Sequence, residues 1–232
     1  IGAYFPEINP DIHIVKAFQI PDHFVRFMAM DWGACGEGDP FSIGYFAVSD
    51  GTIPLYPRNS LICYRVYSGR GLPKVTVGEV IKGIKSREFA TEKILYRVAG
   101  GDILEKRGTG ESIFEMFQRE GIYLKRADSR RASGWMQIRE RLVGKNDRPA
   151  LYFFQGCEED VEAMMNLQHD LNNPNDCAAG DDHFADMVRY GCMSRPYVKD
   201  APVKPLSFEQ SFKNPTIDEL WKIREDSLRE RR

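Results

Sequence analysis

Residues 24–30 form a mostly apolar run, Phe24-Val25-Arg26-Phe27-Met28-Ala29-Met30, alternating enough to be read as a strand that ends at Asp31. A glycine-rich turn (Gly33, Gly36, Gly38) leads to a second strand-like run over 41–48. Asp50-Gly51 is a hairpin signal, and a third strand is read over 61–67. Three strands joined by short turns predict an antiparallel meander. The period then changes. Residues 76–90 read as a helix with Thr76 as cap and Glu79 at capping-box spacing, followed by a strand over 94–99 that stops at Gly100-Gly101-Asp102. Helices over 112–118, 130–143, 158–169 and 181–192 enclose strands over 122–127 and 150–154. Residues 1–24 mix short extended pieces and turns. Residues 196–215 are proline-containing and linker-like, and 217–232 form a charged, weakly amphipathic helix. A meander followed by alternating helix and strand predicts an α/β domain with a mixed central sheet flanked by helices. The domain is expected over 1–195, with a linker and charged tail over 196–232.

Composition changes this picture little. With 232 residues, 42% hydrophobic and 28% charged, the chain is long enough for a substantial core. The formal net charge of -2 carries no global nucleic-acid signature, although an acidic centre can mask a local basic patch. Five cysteines without a C-x-x-C pair speak against structural zinc and for reduced thiols. No apolar run reaches membrane-span length, and no basic-then-apolar leader opens the sequence.

Three acidic positions fall where chemistry would want them: Asp31 and Asp102 end two strands, and Asp182, His183 and Asp186 open a late helix. If the two strands are adjacent and parallel, their carboxyl ends bring Asp31 and Asp102 together, the edge at which α/β sheets hold ligands. Residues 182 and 186, or 183 and 186, share one helix face. Clustered carboxylates favour a hard cation such as Mg2+ or Mn2+, and a pair of ions about 3.5–4 Å apart suits phosphoryl chemistry with water as nucleophile. Each residue alone has a plainer reading, as a turn residue or as an acid favoured at a helix N-terminus.

The segments Ile20-Pro21-Asp22-His23-Phe24-Val25-Arg26 with Asp31-Trp32-Gly33, Gly101-Asp102-Ile103 with Thr109-Gly110-Glu111-Ser112-Ile113, and Asp182-His183-Phe184-Ala185-Asp186-Met187-Val188-Arg189-Tyr190 resemble the nuclease domain of tailed-bacteriophage terminase large subunits over about residues 20–192. The closing D-H-x-x-D-x-x-R-Y is the most specific. The resemblance implies an RNase H-like fold and a metal-dependent endonuclease that cuts concatemeric double-stranded DNA. It implies Asp31, Asp102 and Asp186 as catalytic residues, with His183 and Asp182 as further ligands of Mg2+ or Mn2+, two ions in all. In many relatives a proline follows the second acid; here Ile103 does, which leaves Glu105 as an alternative to Asp102. No P-loop G-x-x-x-x-G-K-[ST] occurs, and the chain starts at Ile1, so an ATPase domain is expected upstream in the same polypeptide. Portal protein and the small terminase subunit are the other implied partners, with no membrane, in the host cytoplasm at the procapsid. A non-catalytic RNase H-like module that grips DNA or portal, and a resolvase-type junction nuclease, are the alternatives.

Lys125, Arg126, Arg130 and Arg131 form the densest basic run and are expected to contact DNA phosphates. Lys82, Lys85 and Arg87 read as an exposed helix face, His13 and His23 as surface histidines, Trp32 as packing, and Arg189 and Tyr190 as structural.

Overall fold

A seven-stranded mixed sheet organises the chain, in the spatial order β1-β7-β4-β3-β2-β5-β6. This computed structural model describes residues 2–33, 39–106, 110–178 and 180–197. The glycine-rich stretch 34–38 and the predicted linker and helix beyond Tyr197 lie outside them. Strands β2 (Val25–Asp31), β3 (Ser42–Val48) and β4 (Leu61–Ser68) form the expected antiparallel meander. Strand β5 (Ile94–Ala99) lies parallel to β2, with Ala99 beside Met30, so both strands point their carboxyl ends the same way.

The apolar runs are continuous because the sheet is covered on both faces. On one face Phe27, Ala29, Phe46, Leu61 and Phe153 pack beneath α4 (Arg131–Val143), α5 (Glu158–Met165) and α6 (His183–Ser194). On the other, Met28, Met30, Ile43 and Tyr45 meet α2 (Val77–Arg87) and α3 (Ile113–Arg119). Both α2 and α3 begin with complete capping boxes, Thr76 with Glu79 and Ser112 with Glu115.

Four local readings differ from the structure. Residues 10–15 form a short helical turn, α1 (Pro10–His13), and an edge strand, β1 (Ile14–Val15), that pairs parallel with β7 (Leu151–Phe154). His13 is not a surface histidine. It is 2% exposed, and its Nε2 lies 3.0 Å from the Leu142 carbonyl. Only Lys125–Arg126 of the strand expected over 122–127 pairs, as β6, because Ile122 and Leu124 turn into the core instead. The helix expected to 169 stops at Met165, after which Gln168 and His169 make bridges to Ala3 and Cys177.

Helix α6 lies flat on β2 and β3 because small residues face it. A Cβ at Gly44 would stand 2.4 Å from the Met187 sulfur, and one at Gly191 would stand 3.0 Å from the Phe46 ring. Gly44→Val is therefore expected to cost about 1–3 kcal/mol, the usual penalty of overpacking. Urea unfolding of the variant against wild type measures it, and an unchanged midpoint would show that α6 has room to move.

Candidate metal centre

The parallel pairing of β2 and β5 builds the site. Asp31 closes β2 at 8% exposure. Beside it the Gly100 amide donates to the Met30 carbonyl at 3.1 Å, and the chain turns into a single 3-10 turn, Gly101–Leu104, that carries Asp102. Asp102 Oδ1 and the Tyr190 hydroxyl stand 2.8 and 3.1 Å from where a Gly100 Cβ would sit, so carboxylate and phenol meet over that glycine. After Asp31 the chain reverses at Gly33, whose φ of 56° is in the left-handed region that favours glycine. Trp32 packs edge-on against Phe117 as a core residue.

The first turn of α6 faces this edge. His183 Nδ1 is 3.0 Å from Asp31 Oδ2, and its Nε2 is 3.1 Å from Asp39 Oδ1. Asp186 is 9% exposed and accepts from two guanidinium groups, at Oδ1 from Arg189 Nε (3.0 Å) and at Oδ2 from Arg131 Nη1 (3.1 Å). Arg131 spans two more acids, reaching Asp182 at 3.0 Å and Asp176 at 2.9 Å. Asp176 in turn accepts from the Trp135 indole at 2.8 Å. Asp181 is drawn outward by Arg70.

The acids feel one another's charge. Burial pushes the Asp31 carboxyl up to about 6; the His183 hydrogen bond opposes this, while the Asp186 and Asp102 charges add to it. Asp186 is likewise raised by burial, against the pull of Arg189 and Arg131. The Tyr190 phenol is raised by burial and then by Asp186, Asp31 and Asp102 in turn. The hydrogen bond to Asp31 raises the His183 imidazole.

Of the residues expected from sequence, Asp31, Asp102, His183 and Asp186 thus come to one sheet edge. Asp182 lies to the side, on Arg131. Glu105 is exposed, just past the turn that carries Asp102. Among the described residues no three His, Cys, Asp or Glu side chains stand in a ready-made metal-holding group, since His183 bridges two carboxylates and Asp186 is held by two arginines. The donor set nonetheless suits a hard cation: oxygen ligands that are buried and mutually repelling gain most from one.

The basic run divides. Arg130 is exposed and pairs with Asp128 at 2.6 Å, and Arg131 faces the acids. Lys125 and Arg126 are exposed on β6, with the Arg126 Nε 3.1 Å from where a Gly101 Cβ would be. Asp39, Asp176 and the role of Arg131 escaped the sequence reading. Asp39 and Asp176 sit in irregular segments with no periodic signal, and Arg131 meets its partners 45 to 55 residues away.

No family sequence profile matches the chain, and no curated protein matches it in sequence. Solved structures do match. The nuclease domain of the phage P22 large terminase superposes with a TM-score of 0.64 at 21% identity, over 84% of this chain and 92% of that one. The large terminase of a thermophilic bacteriophage, in complex with ADP, gives a TM-score of 0.65 at 15% identity, over 82% of this chain but 44% of that one. The large-terminase nuclease domain of bacteriophage SPP1, with bound Mn, gives 0.53 at 15% identity, over 81% and 96%. The fold is therefore that of phage large-terminase nuclease domains, RNase H-like as expected.

Proposed function

We propose that this chain, which has the fold of phage large-terminase nuclease domains, is the divalent-metal-dependent endonuclease domain of a viral DNA-packaging terminase and cuts concatemeric double-stranded DNA. The observation that carries the reading is the convergence of Asp31, Asp102 and Asp186 at the carboxyl edge of the parallel pair β2–β5. In this reading Asp31, Asp102 and Asp186 hold Mg2+ or Mn2+, with His183 and Asp182 as neighbouring donors. When bound, such ions stabilise charge on a phosphoryl oxygen and make water a competent nucleophile near neutral pH. The protein's own part is placement. The Gly100–Asp102 turn fixes one carboxylate beside Asp31, Arg189 orients Asp186, and His183 holds the Asp31 carboxylate from the side. Lys125 and Arg126 flank the acids as phosphate contacts. Arg130 and Arg131 belong to this set only if DNA displaces their carboxylate partners. An ATPase domain in the same polypeptide, portal, the small terminase subunit and a setting in the host cytoplasm complete the proposal; the match to the ADP-bound terminase, covering less than half of that protein, supports the first.

Supercoiled plasmid incubated with Mn2+, Mg2+ or chelator tests it. Nicking is expected with either ion and not with chelator. Asp102→Asn should lower the rate about a hundredfold or more, in the range seen when one electrostatic group is removed from such a site. Glu105→Gln should cost far less, and equal losses would return the second position to Glu105. A folded protein that binds DNA yet never nicks it in any divalent ion would favour the non-catalytic module, a reading supported by the two arginines already neutralising Asp186.

A further inference from the structure

A cavity of about 610 Å³ opens beside the β5–β6 edge, at the C-terminal ends of α4 and α6. Four cations line it, Lys125, Arg126, Arg141 and Arg195, together with Tyr96 and Asn59. No carboxylate is present among its described lining residues. By contrast Arg65, Arg97, Arg130, Arg131 and Arg139, outside the cavity, each face an Asp or Glu.

Arg141 is the exceptional member. It is 1% exposed; its guanidinium donates to the carbonyls of Asn59 (2.9 Å), Ala150 (3.2 Å) and Arg195 and lies over the Tyr197 ring, and no carboxylate meets it among the described residues. Its Nε has no hydrogen-bond partner among the described residues. Buried charges are ordinarily paired. Here burial and the like charge of Arg195 both work against the charged form. Arg195 is held over the cavity by its Nε, 3.1 Å from the Tyr96 hydroxyl. At the other end Arg126 touches the Gly101 turn that carries Asp102.

We infer that this cavity is an anion site for backbone phosphates of DNA, taking the strand that leads away from the acidic edge. The inference rests on the nuclease reading for its ligand. The space is ample for more than one phosphate with its sugar, with Arg126 at the Gly101 turn and Arg195 at the Tyr96 hydroxyl. The path it marks runs from Arg126 and Lys125 to Arg195, away from Arg130 and Arg131, whose charges are already met by carboxylates.

Two measurements on the full chain, both in chelator so that no cutting is needed, test the inference. In the first, inorganic phosphate is expected to raise the melting temperature above that in chloride of equal ionic strength, and Arg195→Gln to abolish the difference. In the second, a short labelled duplex is titrated by anisotropy at several salt concentrations. The double variant Lys125→Gln/Arg195→Gln should bind about tenfold more weakly and flatten the salt slope by about one unit per charge removed. Lys85→Gln, on the far helix α2, should bind as wild type. Lys125 is exposed and Arg195 half-buried, so the test does not depend on an Arg141 variant folding. Wild-type duplex affinity and slope in the double variant would overturn the inference. So would a thermal shift produced by polyglutamate but not by phosphate, which would assign the cavity to an acidic peptide. Failure of plasmid nicking with these binding effects intact would remove the nuclease reading alone.

Discussion

Asp31→Ala is expected to reduce plasmid cleavage in Mn2+ or Mg2+ by about a thousandfold or more while leaving the domain folded. A bound cation contributes several kcal/mol of charge stabilisation, and each 1.36 kcal/mol is about tenfold in rate. Asp31 lies between the charges of Asp102 and Asp186 and bonds His183, so its loss removes the carboxylate that, in the proposed reading, would join the β5 turn to α6 around a cation. Asp31→Asn separates chemistry from stability. The carboxyl is raised from 3.8 to about 6 in the folded chain. A folded-state value above the unfolded one means a contribution to stability that is complete below about pH 3.8 and is lost as pH rises through about 6. At pH 8, without a cation, the charged group therefore costs up to about 3 kcal/mol. The asparagine variant keeps an acceptor for His183 and carries no charge. In chelator at pH 8 it should be more stable than wild type by about 1–3 kcal/mol, a rise of several degrees in melting temperature. The gain should vanish near pH 4, and Mn2+ should stabilise wild type only. An inactive variant that melts at or below the wild-type temperature in chelator would sink the view of Asp31 as a stored charge awaiting a cation.

Arg189→Met is expected to be the most destabilising single change near the site. Arg189 is 1% exposed, holds Asp186 at 3.0 Å and the Ser129 carbonyl at 2.7 Å, and lies against the faces of Trp135 and Tyr190. Its stem runs so close to α4 that a Cβ at Gly134 would come within 2.3 Å of it. Methionine fills much of that space but leaves Asp186 with one cation instead of two. Breaking a buried pair in this way costs about 3–5 kcal/mol, because the remaining charge stays buried. Adding Asp186→Asn should restore a large part of the loss, which identifies the stranded carboxylate as its cause. Denaturant midpoints of the two variants and wild type give the answer, and a loss under about 1 kcal/mol would mean that Arg131 alone suffices.

The parts of this arrangement legible in sequence were those set by local pattern. Asp31 and Asp102 each close an apolar run, and parallel pairing of those runs was the one condition needed to join them; the β2–β5 register meets it. The meander, the Thr76 capping box and the start of α6 were similarly local. What escaped was long-range. Nothing near Ile14 announces a partner at Phe153, and nothing near Arg131 announces Asp176, since neither pairing has a period or a composition. Ile122 and Leu124 satisfied a strand pattern but were used for packing, a choice that only the surroundings of α3 decide. His13 looked polar and became interior because a carbonyl of α4 waited for it.

The contact between Gly44 and Met187 has a consequence for how damage to this domain would present itself. It sets the height of α6 above the sheet, and α6 carries His183 and Asp186 rigidly at one end. A side chain at position 44 works as a wedge, lifting the helix rather than breaking it. Misplacement of reacting groups by about 1 Å can cost about a hundredfold in rate. Substitutions on the middle strand, out of reach of any phosphate, are then expected to give soluble, folded protein with a silent edge, and a screen for function would return position 44 alongside the acids themselves.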